Sequence, residues 1–283
     1  MRLRVSVRGY IHAMGHKRLL EALFLSVFLL FFYGPLLNTL MIAFADNYTY
    51  VENPGFLPRI FSLKWWHFVL SQKNLVSSIT LSFIVASVVT AGSLLICLPA
   101  AYAFARFNFP LKPLFQFSFL FANAFPRMGL YVSIAIIFYK LNLMGTFPGV
   151  FFIHLLGTLM YMTWIPAGAF RSVHANQEEA ARDVGATPFQ TFRHITLPLA
   201  MPGIMVACVF TFLQSMEEAQ GTLLVGVPNY KTIPVVMYGV IFDYPSTAGA
   251  VFAVILVLPT IVLLTVFRKF AGADALAAGF KMK

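Results

Sequence analysis

Glu178-Glu179-Ala180-Ala181-Arg182-Asp183-Val184-Gly185-Ala186, followed nine residues beyond Gly185 by Ile195-Thr196-Leu197-Pro198, separates two long apolar stretches of this chain. A polar segment of that length between apolar runs has to sit in water, which makes the flanking runs candidates for membrane crossings. Composition points the same way. The chain has 283 residues, of which 59% are hydrophobic and 11% charged. Its mean hydropathy is +0.80. A water-soluble domain of this length could not hide so much apolar surface, whereas a polytopic membrane protein leaves it to lipid.

Working outward from the polar segment, the sequence predicts six spans, over about 19–45, 75–103, 114–139, 149–170, 198–225 and 248–267. These form a single transmembrane domain over 1–283, with a polar loop at 171–197. The first apolar run is too long for a signal-peptide core and reads as a retained span. Between spans one and two, Asn53-Pro54-Gly55 is a turn signal. Ser62 to Leu70, with Trp65, Trp66 and His67, suits an interfacial helix at headgroup depth. The loop 226–247, with Pro228, Pro234 and Pro245, reads as irregular and partly rigid. Pro at Gly34-Pro35, Pro99, Pro126, Pro166 and Pro259 is tolerated inside spans and supplies kinks.

Six spans put both termini on one side. That side carries fourteen Lys and Arg residues and the opposite side five, with Arg127 inside a span. The bias places the termini and the Glu179 loop in the cytoplasm. The formal net charge of +10 is accounted for by these short flanking loops. No basic stripe with interleaved aromatics indicates nucleic acid. Cys97 and Cys208 both lie in apolar runs and read as small buried hydrophobes, with neither metal-ligand spacing nor a disulfide framework.

The polar segment itself reads as helix, glycine turn, helix. Gln177 to Val184 carries acids at its start, where they complement the helix dipole, and alanines that present a flat face. Gly185 ends it without a Cβ penalty. Thr187 as N-cap and Pro188 at the first position open a second helix, carrying Phe189, Phe192, Arg193 and Ile195 and stopping near Pro198. The result is a rigid knob. From the residues alone, it is either a docking element for another protein or an amphipathic connector lying on the membrane.

The spacing E-A-A-x-x-x-G, nine residues, then I-x-L-P resembles the coupling loop of bacterial ABC importer permeases. Ala101-Tyr102-Ala103-Phe104-Ala105-Arg106-Phe107 with Pro110 is similar to the end of span two in the sugar-importer members. The tail from Arg268-Lys269-Phe270 to Ala277-Ala278-Gly279-Phe280-Lys281 is similar to their short ending. Residues from about 20 to 281 resemble the maltose-permease type of subunit. Arg182-Asp183-Val184, Ser215-Met216-Glu217-Glu218, and Gly226-Val227-Pro228 with Thr232-Ile233-Pro234-Val235 also resemble the polyamine-importer branch.

The resemblance implies an all-α permease of the type I importer fold in the bacterial inner membrane, with both termini cytoplasmic. It implies a second permease subunit completing a heterodimeric pore, two ABC ATPase subunits and an extracytoplasmic solute-binding protein. The solute it implies is a carbohydrate or polyol, with a polyamine or other small polar metabolite as the alternative. The ATPase-coupling residues it implies are Glu178, Glu179, Ala180, Ala181, Asp183, Gly185, Ala186, Ile195, Leu197 and Pro198. ATP and Mg belong to the partner ATPase, since this chain has no G-x-x-x-x-G-K-[ST] phosphate loop.

Polar residues within the spans are candidates for the solute path: Asn123 and Arg127 in span three, and Gln214, Ser215, Glu217 and Glu218 in span five. Ionised groups there cost at least ~2.5–3.5 kcal/mol each and should face protein or water. The alternative for the charges is a structural ion pair of Arg127 with Glu217 or Glu218. Successive residues on a helix point ~100° apart, so the two glutamates cannot both face the pore axis. His154, in span four, reads as a hydrogen-bonding group inside the bundle. Two other function classes make different demands on the chain. A secondary transporter coupled through Glu217, Glu218 or Arg127 would move solute without an ATPase. An intramembrane enzyme would need a motif such as H-E-x-x-H or G-x-S-x-G, and none occurs.

Overall fold

A computed structural model of the chain describes residues 16–46 and 60–268. Residues 1–15 of the N-terminal basic stretch, the Asn53-Pro54-Gly55 turn and the tail beyond Arg268 lie outside the described residues. The described chain is helical apart from an isolated antiparallel bridge between Ala45 and Phe61. Four helical stretches are long and apolar enough to cross a membrane: Arg18–Ile42, Leu75–Arg106, Phe147–Ser172 and Pro188–Met216.

Contacts divide the chain into two compact units. The described part of the first comprises residues up to Leu70 together with Tyr244–Val254. It contains helix α1 (His16–Ile42) and the short helix α2 (Lys64–Leu70). Helix α1 presents exposed aromatics along its length, among them Phe24, Phe31 and Tyr33. Helix α2 falls where the sequence placed an interfacial helix, with Trp65 buried and the Lys64 amine 5.4 Å from the centre of its ring.

The second unit is Ser71–Asp243 with the residues from Ile255 onward. It is built on α3 (Leu75–Arg106), α6 (Phe147–Ser172) and α9 (Leu197–Met216). Around them lie α4 (Lys112–Ala124), α5 (Arg127–Lys140), α7 (Ala175–Asp183), α8 (Pro188–Thr191), α10 (Gln220–Val225) and α11 (Ile233–Asp243). Helix α12 (Ser246–Arg268) runs through both units. Small residues let the three long helices approach closely. A Cβ on Gly203 of α9 would lie 2.5 Å from the Ala169 Cβ of α6, and one on Gly92 of α3 would lie 2.6 Å from the Phe151 ring. Lipid supplies little apolar driving force between helices, so close backbone approach and buried polar contacts hold them together. Ser93 and Thr158 supply such a contact between α3 and α6, at 3.0 Å. Ala101, Phe104, Ala167, Phe170, Ala200 and Ile204 form a buried cluster at the ends nearest the polar loop.

Four expectations from the sequence need correction. Predicted span three is two helices, broken at Phe125-Pro126. Pro126 has no N–H to continue the ladder and restricts the residue before it. Predicted span five breaks after Met216, and α10 starts afresh at Gln220. The loop 226–247 is not irregular throughout, because Ile233–Asp243 is helical. Pro234 sits in the first turn of that helix, where its missing N–H costs nothing. Finally, the second helix of the polar loop does not stop near Pro198. It continues through a π turn, Phe192–Thr196, into α9. The Leu197 N–H reaches back five residues to the Phe192 carbonyl. This widened turn makes room for the Pro198 ring, which would otherwise press on the carbonyl four residues back.

Candidate coupling site

Helix α7 follows α6 after a short bend at Val173 and His174. Gly185 ends it with φ of +90°, a left-handed conformation that costs glycine nothing and other residues energy. Helix α8 then opens on a full capping box. The Thr187 Oγ1 accepts from the Gln190 N–H at 3.3 Å, and the Gln190 Oε1 accepts from the Thr187 N–H at 2.8 Å. Two backbone donors that would otherwise be orphaned are satisfied. The predicted helix–turn–helix is present, and its second arm is the first part of a rod of 29 residues, Pro188–Met216. The knob is thereby continuous with a helix long and apolar enough to cross a membrane.

The two adjacent glutamates of α7 face opposite ways. Glu179, Ala180, Arg182 and Asp183 are exposed, while Glu178 is only 7% exposed. The Glu178 Oε1 accepts from the Arg106 Nη2 at 2.7 Å and from the Thr196 Oγ1 at 2.7 Å. Arg106 Nη2 also donates to the Val173 carbonyl at 3.1 Å. Glu178 therefore belongs to the protein's interior, and Glu179 to its surface. Val184, 86% exposed, and Phe189, 69% exposed, add apolar groups to that surface. Ala181, Val184, Ala186, Gln190, Thr191, His194 and Ile195 line a shallow groove between the arms. Leu197 is half-buried and Pro198 exposed at the start of α9.

Arg106, within the motif at the end of span two, is a partner of Glu178 that the sequence did not reveal. The available signal was a lone arginine in the last turn of a long apolar helix, where a cation complements the dipole.

The polar candidates within the spans separate as well. Glu218 is buried and caps α10. Its Oε1 accepts from the Gly221 N–H at 2.8 Å, and its Oε2 from the Thr222 N–H at 2.9 Å and the Thr222 hydroxyl at 2.8 Å. Because the Thr222 hydroxyl proton goes to the carboxylate, its oxygen accepts from His154 Nε2, 2.7 Å away. Nδ1 of that imidazole is then left to accept from the Ser215 hydroxyl at 2.8 Å. The chain Ser215–His154–Thr222–Glu218 joins α6 to both sides of the break in span five. His154 thus hydrogen-bonds within the bundle, as its position in an apolar span suggested. Glu217 is exposed, Gln214 half-buried, and Asn123 half-buried with a side-chain nitrogen that has no partner among the described residues. Arg127 is exposed at the start of α5 and forms no salt bridge among the described residues. The alternative considered for these charges, an ion pair of Arg127 with Glu217 or Glu218, does not form among the described residues, where the Glu218 carboxylate is engaged locally. No group of metal-ligating side chains occurs among the described residues.

The described residues thus form a helical unit in which a short polar helix pair is continuous with a helix long and apolar enough to cross a membrane. Residues 92–272 match the family of binding-protein-dependent transport system inner membrane components, and the chain belongs to that family. It is 30% identical over 175 residues to the trehalose transport system permease protein SugB of Mycobacterium tuberculosis, covering 60% of this chain and 64% of that one. It is 24% identical over 224 residues to the spermidine/putrescine transport system permease protein PotC of Escherichia coli, covering 79% and 83%. Its fold matches a chain in the crystal structure of a bacterial ABC transporter that imports the acidic polysaccharide alginate. That match has a TM-score of 0.69 at 20% identity and covers 95% of this chain and 99% of the other.

Proposed function

We propose that this chain is one permease subunit of an ATP-driven importer, forming half of a translocation path for a small hydrophilic solute. In this reading it crosses the membrane six times, with Lys112–Lys140 as a broken third crossing and both termini in the cytoplasm. A second, non-identical permease completes the path. Two ABC ATPase subunits dock on the knob, and an extracytoplasmic binding protein delivers the solute. The ATPase partner holds ATP and Mg and performs the hydrolysis. The observation that carries the reading is the continuity of the capped, glycine-turned knob with a helix long enough to cross the bilayer. Closure of an ATPase dimer beneath Glu179, Ala180, Ala181, Asp183, Ala186 and Ile195 would move that helix, and alternating access follows from such rigid-body movement.

The solute is a carbohydrate or polyol. The sugar-permease motifs at 101–110 support this, as does the 30% identity to a trehalose permease. A polyamine is the second reading, supported by the likeness to PotC and by exposed Glu217, an acid suited to a cationic amine. Thermal-shift screening of the cognate binding protein against trehalose, maltose, sorbitol and spermidine separates the two. Stabilisation by spermidine alone overturns the carbohydrate assignment. For the docking role, Glu179→Lys should abolish co-purification of the ATPase while membrane insertion persists. Undiminished ATPase recovery with that variant refutes it.

A further inference from the structure

We propose that Arg106 and Glu178 form the rigid link that carries movement of the knob into the spanning bundle. The proposal rests on the reading of α7 as the docking element. Three observations lead to it. First, Glu178 is the only buried residue of α7. The hold of this helix on the bundle therefore comes from one carboxylate and not from an apolar face. An apolar face tolerates sliding, whereas directional hydrogen bonds fix position.

Second, that carboxylate oxygen gathers the ends of all three long helices. Arg106 is the last residue of α3, Val173 is the C-cap that follows α6, and Thr196 immediately precedes α9. Arg106 Nη2 contacts both the Glu178 Oε1 and the Val173 carbonyl, while Thr196 meets the same Oε1 from the other side. The knob, α3, α6 and α9 are thus tied at a single point.

Third, the pair is sheltered, with the side chains of Arg106 and Glu178 18% and 10% exposed. It escapes most of the solvent screening that makes surface ion pairs weak. Breaking it leaves a charge without its partner in a largely dry setting, which favours keeping the contact throughout the transport cycle. The rings of Phe170 and Phe192 pack edge-on against Tyr102, one helical turn before Arg106, at centroid separations of 5.3 and 5.1 Å. They hold α3, α6 and the π turn in register around the link. Arg106 is a positioning residue: its guanidinium acts through Glu178 and the Val173 carbonyl.

The test places spin labels at exposed Asn108 and Arg182, with Cys97 and Cys208 replaced by alanine. The distance between the labels is measured in the assembled transporter, nucleotide-free and trapped with ATP and vanadate. The parent should give one narrow distance, the same in both states, because the two labels belong to one rigid body. Arg106→Ala should widen the distribution roughly twofold, by freeing α7 to open locally. Arg106→Lys, which restores a single ion pair, should narrow it again. A general loss of stability would not be reversed by lysine. If Arg106→Ala does not accumulate, Glu178→Gln and Thr196→Val carry the test, and each should broaden the distribution to an intermediate width. An unchanged width in these variants, or a parent distance that differs between the two nucleotide states, overturns the proposal. The outcome is independent of the docking assignment, which stands or falls on ATPase recovery with Glu179→Lys.

Discussion

Replacing Glu218 with alanine tests whether the break in span five is held by its own cap. The carboxylate accepts three hydrogen bonds, from the Gly221 and Thr222 amides and the Thr222 hydroxyl, at 2.8, 2.9 and 2.8 Å. Deleting it strands buried donors at a cost of ~1–3 kcal/mol each. The Thr222 hydroxyl can turn elsewhere, and removing the carboxylate also removes its own desolvation cost. The net loss works out at about 3 kcal/mol. Glu218→Gln keeps one acceptor oxygen and should lose about half of that. Equilibrium unfolding of the purified chain in mixed micelles, titrated with SDS and followed by tryptophan fluorescence, reads these differences directly. The order should be parent, then glutamine, then alanine. A Glu218→Ala protein as stable as the parent, with altered solute selectivity in the assembled transporter, would refute the capping argument and return Glu218 to the solute path.

Two further substitutions follow from the packing. Gly203→Val should force α9 away from Ala169, since even a Cβ there lies 2.5 Å from the neighbouring methyl. Overpacking of this kind costs about 1–3 kcal/mol, and the same SDS titration checks it. Gly185→Ala meets open space but keeps a left-handed φ of +90°. The strain of about 1–2 kcal/mol should appear as faster amide exchange confined to residues 175–197, with the long helices unaffected.

Much of the knob was legible in the sequence because its signals are local. A threonine followed by a proline opens a helix, and a glycine between two short helical patterns makes a left-handed turn, whereas the part of Gln190 in the cap appears only in the structure. That the long apolar runs are helical was legible for a similar reason, since a run of apolar residues in a bilayer has little choice but to be helical. The breaks in spans three and five were not legible. Proline occurs inside α1, α3, α6, α9 and α12 without interrupting them. Only the packing distinguishes those prolines from Pro126.

That this is a helical membrane protein, where its polar knob lies and how that knob turns can all be read from the order of residues. Hydropathy and short-range hydrogen bonding depend on neighbours within a few positions, so one chain is enough to read them. Packing in three dimensions decided which of two adjacent glutamates belongs to the interior. It also decided that Arg106, 72 positions away, is the partner of that glutamate, and that His154 closes a chain with Ser215 and Thr222 across gaps of 61 and 68 positions. Such pairings arise from the crossing of distant helices. No local pattern encodes which side chain will meet a buried charge, although the cost of leaving that charge alone ensures that something must.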